Sequence, residues 1–309
     1  MLRSALLAAS RSPRARTAVE KMPPTRAIVD RFVAGEQLDA ALVACQQLAA
    51  TGRHITLDHL GEDTRDAAQA AGTAAAYEKL LAALKETGLA QHAEVSVKLS
   101  AVGWSLPKGG ERIALENARR ICRAAANAGT TVTLDMEDHT ATDSTLAIAR
   151  ELRADFPWLG VVLQAYLRRT EADCRDFAGP GSRVRLCKGA YQEPASVAFQ
   201  RKPEVDRSYV RCLKVLMSGD GYPMVASHDP RMVRIAGQLA ERHDRKADSF
   251  EYQMLYGIRP EEQLRLARSG ATMRVYLPYG QEWYGYFMRR LAERPANLVF
   301  FLRAMAGRS

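Results

Sequence analysis

The stretch RIALENARRICRAAANAGTTVTLDME, residues 112–137, changes its pattern of apolar side chains partway through. Residues 112–129 are typical of a helix, and they end in Ala-Gly, which is a common helix stop. Residues 131–137 alternate apolar and polar side chains, which is typical of a strand. A helix that leads directly into a strand indicates an α/β fold.

Seven further short runs of apolar or alternating residues begin near positions 54, 94, 160, 183, 223, 250 and 272. Helix-like segments such as AAAYEKLLAALKETG, residues 74–88, lie between them. Strands that alternate with helices imply parallel βαβ units, and eight such units in about 250 residues imply a (β/α)8 barrel of the TIM type. The alternative is an open doubly wound sheet, but no GxGxxG follows the first run, which weakens it.

The 309 residues are enough for one large domain or two ordinary ones. We predict an N-terminal helical segment over residues 1–52 and a catalytic barrel over residues 53–309. Within the first segment we expect one helix that ends near Pro23-Pro24 and a second over about 27–50. Residues 1–26 are rich in Arg, Ala and Ser, but their apolar core is too short for a secretory signal.

Composition excludes several classes of protein. No apolar run approaches the roughly 18 residues of a membrane-spanning helix, so we expect a soluble protein. The five cysteines are odd in number and form no CxxC, which favours a reducing, cytoplasmic setting over a disulfide framework or a zinc ribbon.

The net charge of +9 has three interpretations. Lys and Arg are spread along the chain and mixed with acids, and no nucleic-acid-binding spacing is present, so we predict no nucleic-acid partner. A solvated basic surface is the simplest reading. Peripheral contact with an anionic membrane surface, such as the inner membrane, is the second.

Polar and ionisable side chains end or follow the predicted strands, where the catalytic residues of a (β/α)8 barrel lie. In chain order these are Asp58 and Glu62, Lys98 and Ser100, Asp135 and Glu137, Gln164, Arg185 and Lys188, His228 and Asp229, Glu251 and Gln253, and Tyr276. Burying a charge costs several kcal/mol unless it is paired. We therefore expect a polar, charged pocket at the C-terminal end of the barrel.

The residues alone leave the chemistry of this pocket open. DMEDH, residues 135–139, and SHD, residues 227–229, contain metal-ligand types, but no His-x-His pair is present, and Asp138 is equally suited to cap a helix. Lys98 and Lys188 are placed where an aldolase carries its Schiff-base lysine. A metal- or Schiff-base-dependent hydrolase or aldolase is therefore one hypothesis, although we predict no metal.

Six motifs, taken together, resemble the proline dehydrogenase family. They are LDMED (134–138), LQAYLRRT (163–170), VRLCKGAY (184–191), SHD (227–229), EYQMLYG (251–257) and RVYLPYGQEWYGYFMRRLAERP (274–295). They occur in the family's order and cover the chain from about residue 54 onward. Ser227 replaces a threonine that is common in the family and keeps its hydroxyl. No aldehyde-oxidising domain follows, so the chain resembles the single-function bacterial form.

The resemblance implies a distorted (β/α)8 barrel that binds FAD non-covalently. It implies oxidation of L-proline to Δ1-pyrroline-5-carboxylate, with hydride transfer to the flavin N5 and electrons passed to a membrane quinone. The catalytic residues it implies are Asp135 and Arg185, with Arg185 beside the reactive edge of the flavin, where its positive charge favours the reduced ring.

The resemblance also assigns binding residues by position. The FAD contacts it implies are Met136 through its backbone, Gln164, Arg185, Lys188, Gly189, Ala190, Ser227 and His228. The proline contacts it implies are Lys98, Leu255, Tyr276, Tyr286, Arg289 and Arg290. Glu62 is expected to form a gate with an arginine of the last helix. A role as ordinary core remains open for Leu255, helix capping for Gln164 and a rim aromatic for Tyr276.

Overall fold

Eight parallel strands form a closed barrel in chain order, as the sequence predicted. The computed structural model describes residues 29–61 and 64–293, with the backbone alone over residues 289–293. The strands are β1 (His54–His59), β2 (Ala93–Val97), β3 (Val132–Leu134), β4 (Gly160–Gln164), β5 (Arg183–Cys187), β6 (Tyr222–Ala226), β7 (Glu251–Leu255) and β8 (Met273–Tyr279). Pairing of His54 with Arg274 through His59 with Tyr279 joins β8 to β1 and completes the barrel.

A helix follows each strand, and one precedes β1. The helices are α1 (Leu38–Ala49), α2 (Ala67–Glu86), α3 (Gly110–Ala128), α4 (Thr142–Arg153), α5 (Thr170–Asp176), α6 (Lys202–Ser218), α7 (Pro230–Arg242), α8 (Pro260–Arg268) and α9 (Trp283–Glu293). Short 3-10 turns span Ser100–Val102 and His139–Ala141. Within residues 29–61 and 64–293, each helix is too short or too polar to cross a membrane.

Local sequence explains where several helices begin and end. The Asp66 carboxylate accepts from the backbone N–H of Gln69 at 2.8 Å and caps α2. The Asp229 carboxylate accepts from the N–H of Arg231 at 3.0 Å and caps α7. Helix α3 ends at Gly129, whose φ of 76° is left-handed, so the Ala-Gly stop predicted from sequence is confirmed.

The region before β1 departs from the expected helix over about 27–50. Helix α1 begins only at Leu38, because Gly35 has a φ of +113° and interrupts the helix. The backbone N–H of Ala34 instead donates to the Pro278 carbonyl at 3.0 Å and ties this segment to β8. The helix predicted before Pro23-Pro24 lies outside the described residues. The division at residue 52 therefore stays a prediction.

Helix α1 occupies the position on the outside of the barrel where the last helix of a regular (β/α)8 barrel is expected. The apolar face of α1 packs against β1 and β8 on the outside of the barrel. Helix α9 packs instead with Leu60, which follows β1, and with Ile258 and Leu255 at the end of β7. These residues mark the C-terminal end of the barrel, so α9 borders the barrel mouth. The (β/α)8 barrel is therefore irregular at this end.

Candidate active site

Arg185 lies at the centre of the barrel, where its side chain is 5% exposed. All five of its N–H bonds can be assigned to acceptors on β1, β2 and β7 and directly after β3. Nε donates to Gln253 Oε1 (2.6 Å), Nη1 to Ser96 Oγ (2.9 Å) and Asp135 Oδ1 (2.8 Å), and Nη2 to Thr56 Oγ1 (3.4 Å) and Glu94 Oε1 (3.3 Å). A guanidinium group with every donor used is fixed in position.

Asp135, directly after β3, joins three of the predicted site residues. Its Oδ1 accepts from Arg185, and its Oδ2 accepts from the Tyr276 hydroxyl at 2.7 Å. Lys98 Nζ lies 3.8 Å from Asp135 Oδ2 and donates to Asp58 Oδ2 at 2.7 Å. The structure thus brings Lys98, Asp135, Arg185 and Tyr276 together, although Arg185 and Tyr276 lie within β5 and β8 and not at the strand ends where they were expected.

Tyr276 is held in its protonated form. Burial and the nearby carboxylates of Asp135 and Asp58 raise the pKa of its phenol well above the usual value. Its ring also lies 5.3 Å from the Arg185 guanidinium carbon, within cation–π range. Tyr276 therefore donates a hydrogen bond to Asp135 and provides an aromatic face for Arg185.

A buried ionic network continues below this site, where an aliphatic core is usual. Glu251, fully buried, accepts from Arg274 Nε at 2.7 Å, and Glu94 accepts from Arg183 Nη2 at 2.7 Å. Together with the groups above, the four carboxylates Asp58, Glu94, Asp135 and Glu251 face the four cations Lys98, Arg183, Arg185 and Arg274. Their formal charges cancel, which is how a barrel interior tolerates them.

Sequence reasoning missed part of this network. It assigned no role to Glu94, Ser96, Arg183 or Arg274, because only strand ends were searched. The signal was present in the strands themselves. Glu94, Ser96 and Lys98 alternate along β2 and its end, and alternate residues of a strand share one face.

Gln164 is the last residue of β4 and contacts the backbone of Met136, which is another predicted FAD contact. Its Nε2 donates to the carbonyl oxygens of Met136 at 3.2 Å and Glu137 at 3.1 Å. Its Oε1 is buried and has no hydrogen-bond partner in the part of the chain that the structure describes. A buried acceptor without a partner costs about 1–3 kcal/mol, so this atom is well suited to receive an N–H from a ligand.

Lys188 follows β5 and sits between two aspartates. Its Nζ donates to Asp206 Oδ1 at 2.6 Å and Asp229 Oδ2 at 3.0 Å. Although partial burial opposes it, contacts with Arg231 and Lys188 hold the pKa of Asp229 below its usual range. Lys188 is therefore an anchored positive charge at the barrel rim, and about a quarter of its side chain (26%) is exposed.

Gly189 packs directly against an aromatic ring. A Cβ at this position would lie 2.3 Å from Cδ1 of Tyr166. Gly189 also has a φ of +104°, which disfavours other residues. The protein's own Tyr166 ring thus explains the glycine. The next residue, Ala190, is exposed at the rim.

Ser227 and His228 follow β6 and hold the adjacent strand end. Ser227 Oγ accepts from the Asp229 N–H at 3.2 Å. His228 Nε2 accepts from the Leu255 N–H at 2.9 Å, which places the proton of the neutral imidazole on Nδ1. The two residues and Leu255 therefore form one connected edge of the barrel mouth.

Leu255 and Tyr286 share the apolar cluster beneath α9. The structure therefore brings together two of the residues expected to contact proline. Arg289 and Arg290 continue the backbone of the same helix, but their side chains lie outside the described part. Glu62, the expected gate, also lies outside it.

The geometry gives no support to the metal or Schiff-base hypothesis. Among residues 29–61 and 64–293, no three His, Cys, Asp or Glu side chains are grouped to hold a metal ion. Asp138 caps a 3-10 turn by accepting from the Thr140 N–H at 2.9 Å, as its position predicted. Lys98 and Lys188 both sit in salt bridges, whereas a Schiff-base lysine must lose its proton to react.

Comparison with known proteins assigns the family. The model of the family described as proline dehydrogenase matches residues 41–303. Proline dehydrogenase 1 of Bacillus subtilis (strain 168) is 40% identical over 281 residues, which are 91% of each chain. Proline dehydrogenase of Deinococcus radiodurans is 41% identical over 280 residues, which are 90% of each chain.

A solved structure has a similar fold. The chain matches proline utilization A (PutA) from Bdellovibrio bacteriovorus, inactivated by N-propargylglycine, with a TM-score of 0.77 and 26% identity. The match covers 86% of this chain and 32% of that one. With a family model that spans most of the sequence and relatives similar over nearly their full length, the chain belongs to the proline dehydrogenase family.

Proposed function

We propose that this enzyme uses FAD, bound in the barrel mouth, to oxidise L-proline to Δ1-pyrroline-5-carboxylate. The observation that carries the proposal is the cluster of Lys98, Asp135, Arg185 and Tyr276, which joins four strands at the barrel mouth. The family membership and the names of the relatives support proline as the substrate.

The residues at the mouth fit FAD. The buried Gln164 Oε1 offers an acceptor for a ring N–H of the flavin, and Arg185 offers a fixed positive charge near an electron-accepting ring. Lys188 supplies a positive charge suited to the pyrophosphate, although Asp206 and Asp229 already neutralise part of it. Met136, Gly189, Ala190, Ser227 and His228 complete the proposed cofactor site. FAD, when bound, supplies the acceptor for the hydride of proline oxidation.

The residues of the chain bind and orient the substrate. In this proposal Lys98, Arg289 and Arg290 hold the proline carboxylate, because arginine matches a carboxylate with two parallel N–H groups. Leu255 and Tyr286, which share one apolar cluster, pack against the pyrrolidine ring. Asp135 keeps Arg185 and Tyr276 in place through its two oxygens. Glu62 closes the mouth by pairing with an arginine of α9.

The electron acceptor in this proposal is a membrane quinone. The net charge of +9 would favour peripheral contact with the anionic inner face of a membrane. The protein would otherwise reside in the cytoplasm. We also retain the proposed division into an N-terminal helical segment, 1–52, and a barrel, 53–309, which limited proteolysis would test.

Spectroscopy of the purified protein tests the proposal. We expect flavin absorbance in the visible range that L-proline bleaches without oxygen. Pyrrolidine, which lacks the carboxylate, should bleach it far more slowly. N-propargylglycine, the inactivator of the Bdellovibrio enzyme, should inactivate this enzyme irreversibly. A colourless protein that neither binds added FAD nor oxidises proline would contradict the assignment.

A further inference from the structure

Glu94 is the most heavily bonded carboxylate of the barrel interior. It lies on β2, one layer below the site, and its side chain is 1% exposed. Oε1 accepts from Thr56 Oγ1 at 2.9 Å, and Oε2 accepts from Thr131 Oγ1 at 2.8 Å. So many donors around one carboxylate fix both its position and its negative charge.

Glu94 connects three arginines, of which Arg183 and Arg185 lie on β5 and Arg274 lies on β8. Its Oε2 is 2.7 Å from Arg183 Nη2, and its Oε1 is 3.3 Å from Arg185 Nη2 and 3.9 Å from Arg274 Nε. Burial opposes ionisation, but the guanidinium groups of Arg274, Arg183 and Arg185 hold the pKa of Glu94 below its usual range. The carboxylate is therefore charged across the neutral pH range.

Arg185 thus has two carboxylate partners with different roles. Asp135 belongs to the mouth itself, where it also contacts Tyr276 and lies near Lys98. Glu94 approaches Arg185 from the opposite end of the barrel and touches none of the residues assigned to substrate. It can therefore offset the electrostatic effect of Arg185 without contacting the substrate pocket.

We propose that Glu94 is a positioning residue that sets the reduction potential of the flavin through Arg185. The inference rests on the proposed function, because it requires FAD beside Arg185. A fixed positive charge favours the electron-rich, reduced flavin. The carboxylate of Glu94 offsets part of that charge and so keeps the potential lower than an unpaired arginine would give.

The sign of the effect follows directly. Glu94→Gln keeps the size of the side chain and removes its negative charge, which leaves the interior network with one excess positive charge. The potential of the bound flavin should rise. A charge change about 10 Å away in a medium of effective dielectric constant near 20 shifts an equilibrium by about tenfold or more. For a two-electron couple a tenfold change is about 30 mV.

Glu251→Gln provides a matched control. Glu251 is also fully buried and bonded to an arginine, Arg274, but its links to Arg185 are indirect, through Gln253 and through Arg274 and Glu94. The control removes the same charge from the same network without removing a direct partner of Arg185. We expect a smaller shift in the same equilibrium than Glu94→Gln gives, because Arg185 keeps both of its direct carboxylate partners.

The experiment measures the flavin midpoint potential of the holoenzyme by equilibration with a reference dye. It also measures the affinity of each apoprotein for FAD by titration. We expect Glu94→Gln to raise the potential and Glu251→Gln to raise it by a smaller amount. An unchanged potential in Glu94→Gln, or equal shifts in the two variants, would overturn the proposal.

A charge-balanced variant covers the case in which Glu94→Gln does not fold. Glu94→Gln with Arg183→Gln removes one charge of each sign and leaves Arg185 with its other partners. Its potential should rise by less than in the single variant, and no rise would contradict the proposal. Failure of wild type to bind FAD would instead contradict the proposed function, so the two failures are distinct.

Discussion

Replacing Lys98 with methionine should remove two separable contributions, one to stability and one to substrate binding. Lys98 Nζ lies 2.7 Å from Asp58 Oδ2, and the two side chains are 12% and 1% exposed. Loss of one partner from a buried ion pair costs about 3–5 kcal/mol, because the other charge stays buried. We expect the free energy of unfolding to fall by about that amount, measured by urea denaturation followed by circular dichroism.

The same substitution should reduce proline oxidation. If Lys98 contacts the proline carboxylate, kcat/KM should fall by about two to three orders of magnitude. Flavin content should stay near that of wild type, because Lys98 is not among the proposed cofactor contacts. Steady-state kinetics and the flavin-to-protein absorbance ratio measure the two quantities.

A second substitution separates the two effects. Lys98→Met with Asp58→Asn removes both charges, so most of the lost stability should return while the lost activity does not. Lys202→Met is the surface control. Its ion pair with Asp206 involves a side chain that is 65% exposed, so the loss should be about 0–1 kcal/mol. Recovery of full activity together with stability would refute a direct substrate role for Lys98.

Three further predictions concern the cofactor and the last helix. Gly189→Ala should destabilise the protein by about 2–4 kcal/mol in thermal unfolding, because the new methyl group would overlap the Tyr166 ring. Adding Tyr166→Ala should restore part of the lost stability. Unchanged stability in Gly189→Ala would contradict the clash. Gln164→Ala should weaken FAD binding to apoprotein by about tenfold to a hundredfold, whereas unchanged affinity would show that Gln164 Oε1 does not face the flavin. Arg289→Ala and Arg290→Ala should each lower kcat/KM for proline by about two to three orders of magnitude. The slow oxidation of pyrrolidine should stay unchanged. Equal losses with both substrates would argue against a carboxylate contact.

The barrel was predictable because the sequence of each strand has a local pattern that is typical of a strand. Runs such as TVTLDME, residues 131–137, show the alternation of apolar and polar residues within a short stretch, and Ala-Gly indicates the end of the preceding helix. The polar strand ends also predicted the cluster of Lys98 and Asp135. These features depend on sequence positions that are close together or repeated by the fold.

Features that depend on long-range contacts were not predictable. Glu94 and Arg183 are 89 residues apart in sequence, and only barrel closure brings them within hydrogen-bonding distance. The Tyr166 ring that requires Gly189 lies on a neighbouring strand connection. The helix expected over about 27–50 was wrong over residues 30–37, because Gly35 and the contact of Ala34 with β8 override local helical preference.

Anaerobic titration of the purified protein, loaded with FAD, with L-proline tests the central claim most directly. The visible flavin band should disappear in proportion to the proline added, and Δ1-pyrroline-5-carboxylate should form in equal amount. Pyrrolidine under the same conditions should leave the band largely intact. A folded protein whose bound flavin stays oxidised in excess L-proline would contradict the account.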